Sequence, residues 1–268
     1  MEYEPAIRLA AFALVFVVMA VWEIVAPRRR LDLDRTARWP GNLGIVVLNT
    51  LLVRVAFPMT AVAFAAFVET KGWGLANVWS VPAWLALPLA VVLLDLCIYA
   101  QHVLFHAVPA LWRLHRMHHA DTGFDVTTGS RFHPVEIVLS MVIKLAAIAV
   151  LGAPAAAVLM FEVLLNATAM FNHSNVRLPV GIDRVLRLVV VTPDMHRVHH
   201  SVVRRETDSN FGFNLPWWDR LFGTYRDQPA AGHDAMTIGV AKLRDPAEQR
   251  LDRMLTQPFR IGGGREPL

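Results

Sequence analysis

Eight of the eleven histidines of this chain stand in three short windows. The windows are HVLFH (His102, His106), HRMHH (His115, His118, His119) and HRVHH (His196, His199, His200). Residues three or four positions apart lie on one face of a helix. Each window is therefore expected to point two or three imidazoles in one direction, as a metal site requires.

Eight imidazoles exceed the four ligands of one structural zinc ion and indicate two adjacent metal ions. Imidazole suits iron, zinc, copper and nickel, so the ligand type alone does not select the metal. A soluble metalloprotease would carry H-E-x-x-H, but Arg116-Met117 and Arg197-Val198 stand between the histidines. The single cysteine, Cys97, excludes a disulfide framework and any cysteine-based zinc or iron–sulfur site.

The composition indicates where such a site would lie. Hydrophobic residues make up 55% of the chain and charged residues 18%, and the mean hydropathy is +0.41. These values exclude a disordered chain and argue against an ordinary water-soluble enzyme. The net charge of +4 comes from basic residues beside apolar runs, which favours a membrane over nucleic acid as the partner.

Four regions are apolar enough to be membrane spans, for which about 20 residues in a helix suffice. They are Leu9–Val25, Leu43–Val68 (interrupted by Asn49, Arg54 and Pro58), Val81 to about Ala100, and Ile137–Met170. The fourth region is broken at Gly152-Ala153-Pro154, and each half is short for a full crossing, which favours a helical hairpin.

Positive charges predict the orientation. Arg28, Arg29, Arg30, Arg35 and Arg38 follow the first span, whereas Glu4 precedes it. Arginines concentrate on the cytoplasmic side of a membrane, so we expect an uncleaved anchor with its N-terminus outside. The histidine windows then fall on the cytoplasmic side. The composition, rich in Ala, Val, Leu and Arg, is typical of a bacterial inner-membrane protein.

The predicted fold is an all-α, polytopic membrane helical bundle of about four spanning helices or hairpins. A cytoplasmic, histidine-rich helical cap completes it. We divide the chain into N-terminal spans with their arginine loop (1–94), a di-metal catalytic domain (95–225) that includes the membrane hairpin 137–170, and a cytoplasmic tail (226–268).

Further motifs accompany the histidines. They are DLCIYAQHVLFH (95–106), SRFHPVE (130–136), FNHSNV (171–176), TPDMHRVHHS (192–201) and NFGFNLPWWDRLFGTY (210–225). Their order resembles the fatty acid hydroxylase / sterol desaturase superfamily of integral membrane oxygenases. The resemblance covers about half of the chain. The first two spans carry no motif of this kind.

The resemblance implies a di-iron site whose ligands are the eight window histidines and His173. It implies oxidation of a C–H bond of a membrane lipid (sterol, fatty acyl or a related chain) by O2, giving an alcohol or an alkene. Zinc is expected to replace iron in some preparations of the purified protein. Whether His133 is a ligand stays open. Its segment, R-x-H-P-x-E, would also fit a structural loop in which Glu136 pairs with Arg131.

Acidic and phenolic residues near the windows are candidates for orienting the imidazoles. Asp95 stands seven positions before His102, on about the same helix face, where a carboxylate would fix the tautomer of a ligating imidazole or pair with Arg54. Tyr99, Asp194 and Asp208 are candidates for the same role, against surface or capping roles. His233 is expected at the surface.

Ionisable residues within the spans are candidates for substrate contacts. The hairpin 137–170 would line the lipid chain, and Glu162 or Asn166 would bind a polar group of the lipid.

Electrons must come from outside, since the sequence has no G-x-G-x-x-G fingerprint and no cysteine cluster. A separate ferredoxin- or cytochrome-type donor is implied. Four arginines would dock an acidic donor or anionic lipid: Arg113, Arg116, Arg204 and Arg205. The alternative functions are a membrane metal-binding or transport protein and a zinc-dependent membrane hydrolase.

Overall fold

Helices are the regular elements of this chain. The computed structural model describes residues 3–260, and within that range it contains α-helices, short 3₁₀-helices and two isolated β-bridges, Pro27 with Val176 and Ser201 with Ile238. Residues 261–268 of the predicted tail lie outside the described residues. The prediction of an all-α bundle is confirmed.

The α-helices have the following bounds. They are α1 (Glu4–Val25), α2 (Arg35–Ala56), α3 (Ala61–Thr70), α4 (Leu75–Val78), α5 (Ala83–Ala107), α6 (Pro109–His119), α7 (Pro134–Leu151), α8 (Ala155–Asn172), α9 (Val180–Leu186), α10 (Pro193–His199), α11 (Arg204–Thr207), α12 (Trp217–Leu221), α13 (Gly232–Ala235) and α14 (Leu251–Thr256).

Five segments of the described chain are long and apolar enough to cross a membrane. They are Glu4–Val25, Arg35–Val78, Ala83–Ala107, Pro134–Leu151 and Ala155–Asn172. The chain is thus a multi-pass membrane protein. The count is five rather than about four because each half of the predicted hairpin is a helix of 18 residues, which reaches the lower limit for a crossing.

The predicted second span, Leu43–Val68, is not one helix. Helix α2 ends at Ala56, and α3 begins at Ala61. Pro58 cannot continue a helix, because it lacks an amide proton and its ring clashes with the preceding turn. Thr60 then caps α3 by accepting a hydrogen bond from the amide of Ala63 at 3.1 Å.

The hairpin of α7 and α8 forms the centre of the bundle. Gly152 ends α7 with φ +66°, and a Cβ there would lie 2.9 Å from the carbonyl oxygen of Trp73. Only glycine fits both the left-handed conformation and this close approach. Helix α8 then packs against α1, α3 and α5, and α7 packs against α2, α3 and α5.

Local signals bring the three histidine windows to one end of the bundle. Val108 alone separates α5 from α6 and has an extended backbone, and Pro109 occupies the first turn of α6, where it requires no hydrogen bond. The chain therefore turns sharply and folds the second window back on the first. Helix α10 and the residue after it carry the third window, and Thr192 caps the start of α10 by accepting from the amide of Met195.

Helices α9 and α12 present apolar side chains outside the five spanning segments. The exposed residues include Val180, Ile182, Val185, Leu188, Val189, Trp217, Leu221 and Phe222. The Trp217 indole donates to the carbonyl of Leu188 at 2.7 Å, which joins the two helices. The Trp218 indole donates to Asp95 of α5 at 2.8 Å, so this apolar surface lies beside a spanning helix.

Candidate metal centre

Nine buried histidines converge on one place, which we call the histidine cluster. Within the described residues they form two groups, in each of which the ligand atoms lie within 4.8 Å of one another. The five-histidine group is His102, His106, His115, His119 and His199, and the four-histidine group is His118, His173, His196 and His200. The structure thus brings together the eight window histidines and His173, which caps α8.

Ring nitrogens of the cluster face one another at short distances. Nε2 of His106 lies 3.1 Å from Nε2 of His119. Nε2 of His173 lies 3.2 Å from Nε2 of His118 and 3.1 Å from Nε2 of His196. Two nitrogens that each lie about 2.1 Å from one ion are separated by roughly 3 Å. The spacing therefore fits nitrogens that share a metal ion.

Hydrogen-bond acceptors determine the tautomer of six of these imidazoles. The Nδ1 contacts are His102 to the Phe211 carbonyl (2.8 Å), His106 to Asp208 (3.3 Å), His115 to Glu136 (2.7 Å), His118 to the Arg131 carbonyl (3.2 Å), His173 to the Ala169 carbonyl (2.8 Å) and His199 to the Ser209 carbonyl (2.7 Å). A carbonyl accepts only from N–H, so the proton stays on Nδ1. Nε2 is then the unprotonated nitrogen that a metal requires.

Several of the inward nitrogens have no partner. Among the described residues, Nε2 of His102, His115 and His199 and both ring nitrogens of His200 are buried without a hydrogen bond. Buried polar atoms in native proteins are nearly always satisfied. A metal ion between these rings would bind one nitrogen of each of them, so the residues fit the metal site that the sequence predicts.

Burial also keeps these rings in the form that binds metal. It lowers the pKa of His118, His119, His196 and His200 well below the usual value. For His173 and His199 it lowers the pKa to about 3. The charged imidazolium is disfavoured in low dielectric, so the rings are neutral donors at pH 7.

Asp208 and Asp95 have different surroundings. Asp208 lies 3.3 Å from Nδ1 of His106. The Asp95 carboxylate instead accepts hydrogen bonds from the amides of Asn214 and Leu215 and from the Trp218 indole. Asp95 therefore anchors residues 211–218 and does not contact His102 through a hydrogen bond of its own. The Phe211 carbonyl of that segment is the group that binds His102.

Tyr99 is linked to the same segment through Thr224 and Asp219. Its hydroxyl lies 2.9 Å from Oγ1 of Thr224, and Thr224 donates to Asp219 at 2.7 Å. Asp219 in turn accepts from the amides of Phe211 and Gly212 at 2.7 and 2.8 Å. Asp219 therefore positions the carbonyl that binds His102.

Asp194 and two further histidines lie outside the cluster. Asp194 pairs with Arg28 at 3.2 Å and with Arg197, so it ties the arginine loop to α10. His233 lies 3.8 Å from Asp194 and is buried rather than exposed as expected. His133 caps α7, where its Nδ1 accepts from the amide of Val135 and its Nε2 contacts the Leu255 carbonyl.

Glu136 has a different partner from the one expected. Its carboxylate binds His115, whereas Arg131 donates to the Met117 carbonyl at 2.9 Å and to Asn42 at 3.1 Å. Glu136 stands in the first turn of α7, 21 positions after His115. No sequence spacing predicts a contact over that separation. Sequence reasoning missed this contact for that reason.

A cavity of about 520 Å³ reaches the cluster from within the membrane-spanning helices. His102, His115 and His118 line one end, together with Phe132. Side chains of α1, α2, α5, α7 and α8 line the rest, including Leu9, Phe12, Val46, Ile98, Met141 and Leu165. This largely apolar lining fits an alkyl chain.

Comparisons with known proteins agree with the motifs. The sequence model of the family described as fatty acid hydroxylase matches residues 87–224. No solved structure matches the chain.

The curated relatives are longer proteins. An ornithine lipid hydroxylase of Rhizobium tropici is 30% identical over 66% of this chain and 51% of its own length. A fatty acid hydroxylase of a Lecanicillium species is 26% identical over 75% and 57%, and human alkylglycerol monooxygenase is 30% identical over 49% and 28%. The chain spans about half the length, or less, of these relatives.

Proposed function

This chain belongs to the fatty acid hydroxylase family, and from that premise we propose that it is an O2-dependent di-iron lipid hydroxylase. The observation that carries the proposal is the histidine cluster at the end of an apolar cavity. The relatives are named as hydroxylases and a monooxygenase, which favours hydroxylation over desaturation. The substrate is a C–H bond of a membrane lipid.

Each histidine group would hold one iron ion. The five-histidine group and the four-histidine group supply neutral imidazoles only, in contrast to carboxylate-rich di-iron sites in helical bundles. When bound, the two irons supply the O2 activation that breaks an unactivated C–H bond. The acceptors at Nδ1 would hold six of the nine rings in place while the lipid is oxidised.

The cavity positions the lipid and excludes water. Leu9 of α1 and Thr50 of α2 line the cavity and are also exposed on the surface of spanning helices. A lipid chain would enter here, between α1 and α2, directly from the bilayer. The apolar walls then direct the chain toward His102 and His118 and keep the reacting carbon away from water.

An external donor would supply the electrons. Trp112 lies beside the cluster, with ring centroids 4.8 Å from His106 and 5.2 Å from His119. Arg113 and Arg205 are exposed, and Arg204 pairs with Asp208 at 3.1 Å. We infer that an acidic ferredoxin- or cytochrome-type protein docks on this surface. Arg116 takes no part, because it is buried and donates to the Gln257 carbonyl.

The cluster would face the cytoplasm of a bacterial inner membrane. The arginine loop supports this orientation, since Arg28 pairs with Asp194 of α10, which carries the third window. The positive-inside tendency then applies to the loop and the cluster together.

Metal content per chain tests the proposal. The protein is produced with iron and extracted gently, and His199→Ala and His118→Ala each remove one ligand from a different group. We expect about two irons per chain in the parent and loss of iron in both variants. His133→Asn is the matched control, because asparagine keeps the capping acceptor and the ring is not in the cluster.

The outcome also separates the alternatives. No metal, or a single metal that neither substitution removes, would contradict the di-iron proposal. Two zinc ions without lipid-dependent O2 uptake after iron loading would favour the membrane hydrolase. Metal uptake into vesicles that depends on His118 and His199 would favour transport.

A further inference from the structure

A charged cluster lies at the end of the cavity remote from the histidines. Lys144 of α7 binds Glu162 of α8 at 2.7 Å, and Arg8 of α1 binds the other oxygen of Glu162 at 2.9 Å. Arg8 also pairs with Glu4 at 3.3 Å. All four residues belong to membrane-spanning segments, where ionisable side chains are costly and usually functional.

The basic members of this cluster face the cavity. Arg8 and Lys144 line it, whereas Glu4 and Glu162 do not. The neutral side chain of Asn166 lines the cavity as well. The side chain of Glu162 is 3% exposed, that of Lys144 14% and that of Arg8 34%. An occupant of the cavity therefore meets cationic N–H donors first. Arginine has five N–H donors and lysine three, and the carboxylates do not occupy all of them.

The charges of the cluster balance. Two cations face two carboxylates, so the four side chains are formally neutral. A third anion, bound in the cavity, would leave one negative charge uncompensated in a low-dielectric environment, which is expensive. An uncharged oxygen that accepts hydrogen bonds adds no charge and satisfies the free donors.

The distance between the histidine cluster and the charged cluster indicates how long an alkyl chain would connect them. Glu136, which binds His115, and Lys144 are eight positions apart on α7, which corresponds to roughly 12 Å along the helix. An extended chain advances by about 1.2 Å per bond. The two ends of the cavity are thus separated by about ten bonds of an alkyl chain.

We propose that Arg8 and Lys144 bind the uncharged carbonyl oxygen of an ester- or amide-linked acyl chain. The substrate class is then a linked acyl lipid rather than a free fatty acid, and the oxidised carbon lies about ten bonds from the carbonyl. The proposal rests on the proposed function, because it takes the cavity as the substrate site.

Equilibrium binding tests the proposal without any turnover. Radiolabelled methyl hexadecanoate, hexadecanoate and hexadecane are bound to the metal-loaded protein in nanodiscs. We expect the ester to bind about tenfold more tightly than the alkane, since one charge-assisted hydrogen bond is worth at least that factor. The ester also binds more tightly than the carboxylate.

Three variants assign the preference to the cluster. Lys144→Met reduces the preference for the ester over the alkane by about tenfold, whereas Lys144→Arg retains the preference. Glu162→Gln leaves the cluster with one net positive charge. In that variant we expect hexadecanoate to bind more tightly than the ester.

Specific results would overturn the proposal. Tighter binding of hexadecanoate than of the ester to the parent would refute the charge argument. An unchanged ester preference in Lys144→Met would make the cluster a structural ion pair only. If Lys144→Met does not fold, the proposal is tested by the relative affinities of the ester and hexadecanoate for the parent and for Glu162→Gln. A protein that shows the expected ranking but oxidises no lipid would contradict the proposed function and leave this inference standing.

Discussion

The acceptors around the histidine rings are the main finding at the scale of single residues. Five of the six Nδ1 acceptors of the cluster lie outside the helix that carries or precedes the histidine: the carbonyls of Phe211, Arg131 and Ser209 and the carboxylates of Glu136 and Asp208. Such partners hold the ring orientation and increase the basicity of the ligating nitrogen. We therefore expect the metal affinity of the proposed site to depend on residues that would not touch the metal.

Glu136→Gln tests this dependence. The amide keeps the size of the side chain but removes the negative charge next to His115. Loss of such a partner typically lowers metal affinity by about 10–100-fold. We expect that reduction in a competition titration with a chelator, together with a normal helical spectrum.

Glu69→Gln is the control for this experiment, because Glu69 is an exposed glutamate at the end of α3. It should not change the metal affinity. Equal metal affinity in Glu136→Gln and the parent would show that the Glu136 contact does not tune the site.

A buried ion-pair network is the main finding at the scale of elements. Arg38 of α2 binds Asp121 at 2.8 Å and also binds Asp125, and all three side chains are fully buried. Asn42, one turn further along α2, donates to Asp121 and to Thr127. Helix α2 thereby fixes the segment 121–131, whose last carbonyl binds His118.

Glycine is required inside this network. A Cβ on Gly123 would lie 2.0 Å from Cζ of Arg38, so any other residue would displace the guanidinium. The segment follows the second window directly, and its path therefore depends on an arginine that stands 83 positions before Asp121 in the sequence.

Arg38→Met is expected to destabilise the protein by about 3–5 kcal/mol, because it leaves two buried carboxylates without their cation. The free energy of unfolding in detergent measures the effect. Arg35→Met is a control on the same helix. Its partner Glu23 is buried but 3.5 Å away, and Glu23 also accepts from the amides of Val126 and Asn175, so we expect a smaller loss than in Arg38→Met. Equal losses in the two variants would argue against the network.

At the scale of the whole molecule, two surfaces outside the spanning helices differ in whether they lie in the membrane interface or in water. Val185 of α9 is 64% exposed and lies outside the spanning segments, on the apolar surface that joins α5 through Trp218 and Asp95. Arg205, on α11, is exposed and basic. An apolar surface next to spanning helices belongs in the membrane interface, whereas the basic surface belongs in water.

Cysteine labelling tests both positions. In a Cys97→Ala background, a membrane-impermeant maleimide should label Arg205→Cys in inverted vesicles but not in intact spheroplasts. Val185→Cys should resist the reagent in both preparations and react only after denaturation. Labelling of Arg205→Cys in intact spheroplasts would reverse the proposed orientation, and rapid labelling of Val185→Cys in vesicles would place α9 in water.

Local patterns determined the parts of this protein that depend on neighbouring residues in the chain. The spacing of the histidine windows placed their rings on common helix faces, and the length of the apolar runs predicted spanning helices. The hairpin break at Gly152 and the interruption at Pro58 were also visible, because the backbone preferences of glycine and proline act within a few residues.

The tertiary structure alone decided how these parts combine. It divided nine histidines into groups of five and four. It also placed Asp95 in contact with residues 211–218 and Glu136 in contact with His115. It also joined Arg8, Lys144 and Glu162 at the end of a cavity. Each of these contacts links residues 18 to 154 positions apart, and no local periodicity reports which distant side chain fills a given space.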